Sequence, residues 1–365
     1  MNRNAVSGSV LSVRVFLFTL FPFTVLGIIG CAQVQRASPS VATRGTMGSP
    51  ETVRLGKISS SAEIIYHSEG HLFTMDRNGM NVMQVTFGPP HGYEHAAVSY
   101  DHRFIVANEH DPENRNLSIV WLYDLKDGTE ARVLPSFVEA GDGGVDWDRT
   151  GYMYFSGKEK LMVRNPRVPA EFLANAMSLD IYKIKFDGTG LTNLTHSADG
   201  GENDISVSED GTMITYIKGI PDISKSPPGM HTEIWEMKTD GTNPRRMYAG
   251  GEARVSSVHD PENSPDNRRV VFSKVNSHVP PNFPSNPDAN TAHDIWTVQA
   301  DGSDPIRLTR PGPISIIPDW KGDTVVYMQI SERDSYSGAC VVSATGVEQE
   351  PLRIKAGAQS PKWIP

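Results

Sequence analysis

Three stretches decide how this chain folds: Asp180–Thr195 (DIYKIKFDGTGLTNLT), Glu233–Tyr248 (EIWEMKTDGTNPRRMY) and Asp294–Thr309 (DIWTVQADGSDPIRLT). They align without a gap. Each opens acid-Ile-aromatic, carries Asp-Gly at the same two positions and closes on a short apolar run. Alternating strand formers, a residue pair that tolerates positive φ and a second short strand describe a β-hairpin. Two weaker copies keep the length and the turn, His71–Thr86 and Val120–Pro135, and Ala339–Ile354 has Thr345-Gly346 at almost the same offset. The turns are therefore expected at Gly79, Gly128, Gly188, Gly241, Gly302 and Gly346.

Between the copies lies a second pattern, an apolar run, a turn and a β-rich run, as in Val98–Ala107, Val207–Ile217 and Asn263–Ser273. Each full unit thus supplies four short strands. A lone sheet of that size leaves apolar faces in water, so several must pack radially. The first strand, Ala62–His67, has no apolar strand of the preceding type before it, and Ser360–Ile364 supplies that type at the other end. Pairing the two removes two sheet edges that would invite aggregation. The expected fold is all-β: a six-bladed β-propeller of four-stranded blades, closed by the C-terminal strand pairing into the N-terminal blade.

The acid-Ile-aromatic strand, the Asp-Gly turn, the close Arg307-Leu308-Thr309 and Ser264-Pro265-Asp266-Asn267 resemble the TolB-like (WD40-like) six-bladed propeller repeats. The resemblance covers about residues 62–365 and implies the fold. It leaves function open, because such propellers serve binding proteins, peptidases and lyases. A tether stands where TolB carries an α/β domain, so that protein's role does not carry over.

Ahead of the repeats, Val15–Gly30 is almost wholly apolar and ends directly before Cys31. The run is short for a spanning helix and Pro22 interrupts it, so residues 1–30 read as a signal peptide. The spacing resembles the bacterial lipobox, which implies that Cys31 is diacylated and becomes the first residue of the mature chain. Ala32 follows where inner-membrane retention would place Asp, so the resemblance favours the outer membrane over other parts of the envelope. Residues 31–60, rich in Ser, Thr, Gly and Pro, are expected to form a flexible tether, and 61–365 the propeller. The expected partners are the membrane, through that lipid, and an envelope protein, peptide or glycan; a monomer is expected.

A net charge of −9 excludes a general nucleic-acid binder and docking onto anionic lipid by charge. Two cysteines, Cys31 and Cys340, make no disulfide framework. There is no Gly-x-Ser-x-Gly elbow and no phosphate-binding Gly-rich loop, so no catalytic residue is assigned. Eleven histidines include His67, His71, His91, His95, His102 and His110 near the start of the repeats, without metal-binding helical spacing.

Long loops, Glu109–Asn116, Gly157–Leu179, Gly219–Thr232 and Val275–His293, are expected on one face, with Pro169–Met177 forming a helical turn or two. On that face the links between blades point toward the channel. They carry the candidate ligand- or cation-binding set: Tyr93, Glu94, His95, Asp142, Glu202, Asn203, Asp204, Glu252 and Arg254. Converging acids suit Ca²⁺ or another oxygen-preferring divalent cation, or a basic or hydroxyl-rich ligand. The plain alternative is that they satisfy backbone donors at strand starts. Two functions follow: a non-catalytic binding or scaffold module, or a carbohydrate-active lyase or hydrolase using these acids and a cation.

Overall fold

The computed structural model describes residues 50–112, 117–159, 179–197, 201–222, 229–249, 258–275, 293–331 and 333–365. Among them every regular element is a β-strand. Four sheets have four strands each. The first is ordered Gln359–Trp363 (β25), Ile64–Ser68 (β2), His71–Met75 (β3) and Met83–Gln84 (β4). The second comprises Gly201–Val207 (β13), Met213–Asp222 (β14), Gly229–Lys238 (β15) and Arg245–Ala249 (β16). Val258–Asn263 (β17), Arg269–Val275 (β18), His293–Gln299 (β19) and Ile306–Arg307 (β20) make the third. The fourth is Ile314–Lys321 (β21), Thr324–Ser331 (β22), Tyr336–Ser343 (β23) and Leu352–Ala356 (β24).

A fifth sheet has nine strands. One half holds Tyr93–Val98 (β5), Phe104–His110 (β6), Ser118–Asp124 (β7) and Thr129–Arg132 (β8). The other holds Val138–Trp147 (β9), Tyr152–Glu159 (β10), Asp180–Lys185 (β11) and Thr192–Asn193 (β12). The halves meet through the single pair Ser118↔Ala140. Glu51–Thr52 (β1) adds a ninth strand along β8.

Core clusters lie between consecutive sheets, as radial packing requires. Val271, Ile295 and Leu308 meet Val325, Tyr327 and Cys340, and Ile217, Ile234 and Met247 meet Val258, Val270 and Phe272. The two halves of the large sheet pack on each other through Ala97, Phe104, Val145, Trp147 and Phe155. The result is a propeller arrangement of four-stranded blades. The last strand joins the first sheet directly, with Ile64 opposite Trp363 and Ile65 opposite Lys362.

The six repeat copies are the outer hairpins, β3–β4, β7–β8, β11–β12, β15–β16, β19–β20 and β23–β24. Their turns differ from a two-residue Asp-Gly link. In Asp187-Gly188 only the glycine is left-handed (φ 77°), and its N–H donates to Lys185 O at 2.9 Å. That is a right-handed turn ended by one αL glycine, which gives a longer loop than the primed two-residue turn. Gly346 departs further: the left-handed residue of that turn is Glu348 (φ 47°).

One expected loop and part of the expected tether are more ordered into the sheets than the sequence suggests. β14 and β15 continue their pairing out to Asp222↔Gly229, so most of Gly219–Thr232 is strand. Glu51–Ile58, within the segment expected as tether, lies against the blades. Val53 N–H donates to Gly128 O (2.9 Å), Gly56 N–H donates to Val85 O (2.7 Å), and Leu55 and Ile58 pack on a core cluster. Pro169–Met177 and Cys31 fall outside the described residues.

Candidate functional site

The inner strands β5, β9, β13, β17, β21 and β25 surround a central channel, and each is bulged. An extra residue in one strand breaks the ladder and re-aims its side chain and N–H. At these bulges Gly144, Asp204, Asp260, Ile317 and Ser360 take φ between 44° and 80°. A β-branched residue there is strained. Ile317 is held by its N–H, which donates to Asp260 Oδ2 (3.2 Å) and Ser273 Oγ (3.1 Å). One blade earlier the Asp260 N–H donates to Asp204 Oδ2 at 3.3 Å. Carboxylates of one inner strand thus satisfy the displaced backbone of the next.

Tyr93, Glu94, His95, Asp142, Glu202, Asn203 and Asp204 sit in the strands themselves and not in links. Glu94 accepts from Ser118 Oγ (2.9 Å) and Asn108 Nδ2 (3.2 Å) and pairs with His110 Nε2 at 2.7 Å. Burial raises its pKa. Asp142, also raised by burial, accepts from Asn203 Nδ2 at 3.0 Å. Asp204 pairs with His259 Nδ1 at 3.7 Å. Burial pushes the Asp204 carboxyl up, but the His259 imidazole outweighs it and holds the pKa below the usual range. His95 faces the channel, where burial depresses its pKa to about 4.

Two candidates belong elsewhere. Tyr93 is buried against Tyr123, hydroxyl to hydroxyl, in the core beneath β5. Glu202 is buried among Ser197, Thr195 (3.2 Å) and Lys218 (3.6 Å), where burial lifts its pKa to about 7. These hydrogen bonds join β13 to the segment that follows β12. Glu252 and Arg254 lie outside the described residues.

A ring deeper in the channel was not expected. Lys362 of β25 places Nζ 3.0 Å from Glu262 Oε1 and 3.4 Å from Asp146 Oδ2. Asp146 and Asp319 each accept twice from backbone. Oδ1 takes the next residue's N–H, and Oδ2 takes that of Val207 (2.8 Å) or Trp363 (2.5 Å) in the following blade. Burial opposes the lysine's charge, but the three carboxylates outweigh it and hold its pKa well above the ordinary value. Burial, reinforced by the Asp319 and Asp146 charges against that of Lys362, pushes Glu262 up to about 8. The sequence held a signal for this ring: Asp146-Trp147, Asp319-Trp320 and Lys362-Trp363 share one aligned position.

Between the two layers is a cavity of about 40 Å³ touched by His95, Asp204, Asp260, Glu262, Asp319 and Lys362. Roughly 10–15 Å³ of such space holds one water, so a few waters fit and a sugar ring does not. Among the described residues no three His, Cys, Asp or Glu side chains are disposed to hold one metal ion.

No known family pattern matches the chain, and no curated protein matches its sequence. Its structure is similar to TolB from Acinetobacter baumannii, at TM-score 0.57 and 14% identity over 84% of this chain and 67% of that one. A chain of a nidogen–laminin complex matches at TM-score 0.55 and 10% identity, over 83% and 98%. An oligogalacturonate lyase in complex with manganese matches at TM-score 0.50 and 10% identity, over 84% and 73%. The fold is a TolB-like β-propeller. At these identities the likeness concerns the fold alone.

Proposed function

We propose that this chain is an envelope lipoprotein, acylated at Cys31, whose propeller is a non-catalytic binding or scaffold module for a protein, peptide or glycan. One observation carries the reading: Glu94, Asp142, Glu202 and Asp204 are each already engaged by side-chain or backbone donors of the protein. The lone pairs of Glu94, Asp142 and Asp204 hold channel walls together, those of Glu202 fasten the chain beside β13, and recognition falls to the loop-bearing face. The nidogen–laminin neighbour is an instance of a matching chain found in a partner complex. We also count six blades, dividing the nine-stranded sheet at Ser118↔Ala140 into its two four-stranded halves.

The second reading is a propeller lyase, favoured by the manganese-bound lyase neighbour and by His95, kept unprotonated beside the channel. A divalent cation at the mouth would draw on Glu252 in addition to the described acids. Two measurements on the full chain separate the readings: crosslinking in intact cells with and without a shortened Val275–His293 loop, and metal content with polyuronate cleavage. A recurrent partner lost with the loop, and no turnover, is expected. A stoichiometric metal, with cleavage abolished by Glu94→Ala or His95→Ala, would overturn the binding reading in favour of the lyase.

A further inference from the structure

Single exposed apolar side chains are ordinary on any protein surface, and a cluster of them is not. Among the described residues six large hydrophobic side chains are exposed, and five belong to two adjoining hairpins. Met80 (64% exposed), Val82 and Met83 lie on β3–β4, and Val347 (67%) and Leu352 (62%) on β23–β24. The hairpins touch: a Cβ placed on Gly79 would stand 2.0 Å from Ile354 O of β24. The sixth, Phe186, is on β11–β12, stacked on Phe104 at 4.7 Å.

The chain leading to the anchor runs along the outer edges of the first two blades. It passes from β8 at Glu51–Thr52 to the end of β4 at Leu55 and Gly56, where it reaches one side of this rim. Leu55 pairs with Thr86, and Gly56 lies against Gln84, next to Met83. Pro50 is six residues upstream, which is about 20 Å of extended chain at most. From Pro50 to Cys31 is 50 − 31 = 19 residues. A flexible coil of 19 residues spans about 24 Å end to end. A chain lipidated at Cys31 therefore keeps the outer edges of the first blades close to the bilayer surface. Met, Val and Leu there gain from leaving water without needing a shaped partner, and tethering raises their effective concentration at the lipid.

We propose that the rim formed by Met80, Val82, Met83, Val347 and Leu352 is a lipid-contact surface that seats the propeller edge-on against the membrane to which its anchor ties it. This rests on the lipid-anchor reading, and the test separates the two. The full exported chain is prepared with Val347→Cys, Leu352→Cys or Phe186→Cys and labelled with an environment-sensitive fluorophore. It is then mixed with phosphatidylethanolamine–phosphatidylglycerol vesicles with or without a nitroxide lipid. Cys340 is buried, and burial pushes its thiol up to about 11, so it does not compete for label.

Flotation reports the anchor and quenching reports the rim. All three chains are expected to float, with quenching at 347 and 352 several-fold greater than at 186. A floating chain quenched equally at the three positions overturns the rim and leaves the anchor standing. A chain that does not float overturns the anchor and the rim with it. Adding Met80→Glu to Val347→Cys should reduce quenching toward the level at 186 while flotation persists. Undiminished quenching in that folded variant also overturns the proposal.

Discussion

At the residue scale the turn glycines answer two constraints at once. Gly302 is left-handed (φ 83°), and a Cβ there would lie 2.2 Å from Met247 O of the neighbouring blade. Gly322 is left-handed too (φ 60°) but has nothing within 4 Å. Gly302→Ala should therefore exceed the ~1–2 kcal/mol cost of the left-handed conformation, whereas Gly322→Ala should cost about that alone. Equal losses in denaturant midpoint would count against close packing of the turn. Glu262 makes a pH prediction. Its folded pKa, about 8, lies above its ordinary value of 4.5, so its stabilising effect is complete below pH ~4.5 and fades as pH rises through 8. The carboxylates Asp146 and Asp319 and the Lys362 ammonium face it. Glu262→Gln stays neutral throughout. It should match the native chain near pH 4 and melt roughly a few degrees higher above pH 8. A melting difference independent of pH would refute this.

At the scale of elements, the segment Glu51–Ile58 shows how weak pairing and hydrophobic contact combine. β1 contributes two exposed residues, and its register sets Glu51 directly opposite Glu130. Like charges across a strand pair repel, and that repulsion helps raise the Glu130 pKa, after burial. What holds the segment is the packing of Leu55 and Ile58 and the backbone bonds from Val53 and Gly56. Glu51→Lys turns the opposed pair into an attractive one, worth about 0.2–1 kcal/mol. Slower hydrogen exchange at the Val53 amide is the expected result, and unchanged exchange would show that the pair does not matter. This segment was not legible in advance. Its Gly- and Ser-rich surroundings have no periodicity, and its contacts come from blades that it neither precedes nor follows directly in a hairpin.

For the whole molecule, closure depends on one strand. β25 pairs with β2, its Trp363 N–H reaches Asp319, and its Lys362 reaches Asp146 and Glu262, so three other sheets are tied to it across the channel. Lys362→Met leaves three buried carboxylates without their cation and should cost about 3 kcal/mol or more. Adding Glu262→Gln should recover part of the loss. A double variant as unstable as the sum of the single changes would mean the two side chains do not interact. The sequence by itself determined the hairpin unit, its repetition and the strand that closes the ring. These follow from local propensity, turn chemistry and an alternation of period two, all of which are written along neighbouring residues. Tertiary structure decided which polar residues meet. Glu94 and Glu202 look alike in sequence, yet one faces Ser118 and His110 near the channel and the other is enclosed by Ser197 and Thr195. Lys362 and Asp146 stand 216 positions apart (362 − 146) and touch only because radial packing brings equivalent positions of the inner strands around one axis. Spacing along the chain carries no record of such a meeting, because the contact is set by the closure of the ring and by the bulges that turn side chains into it.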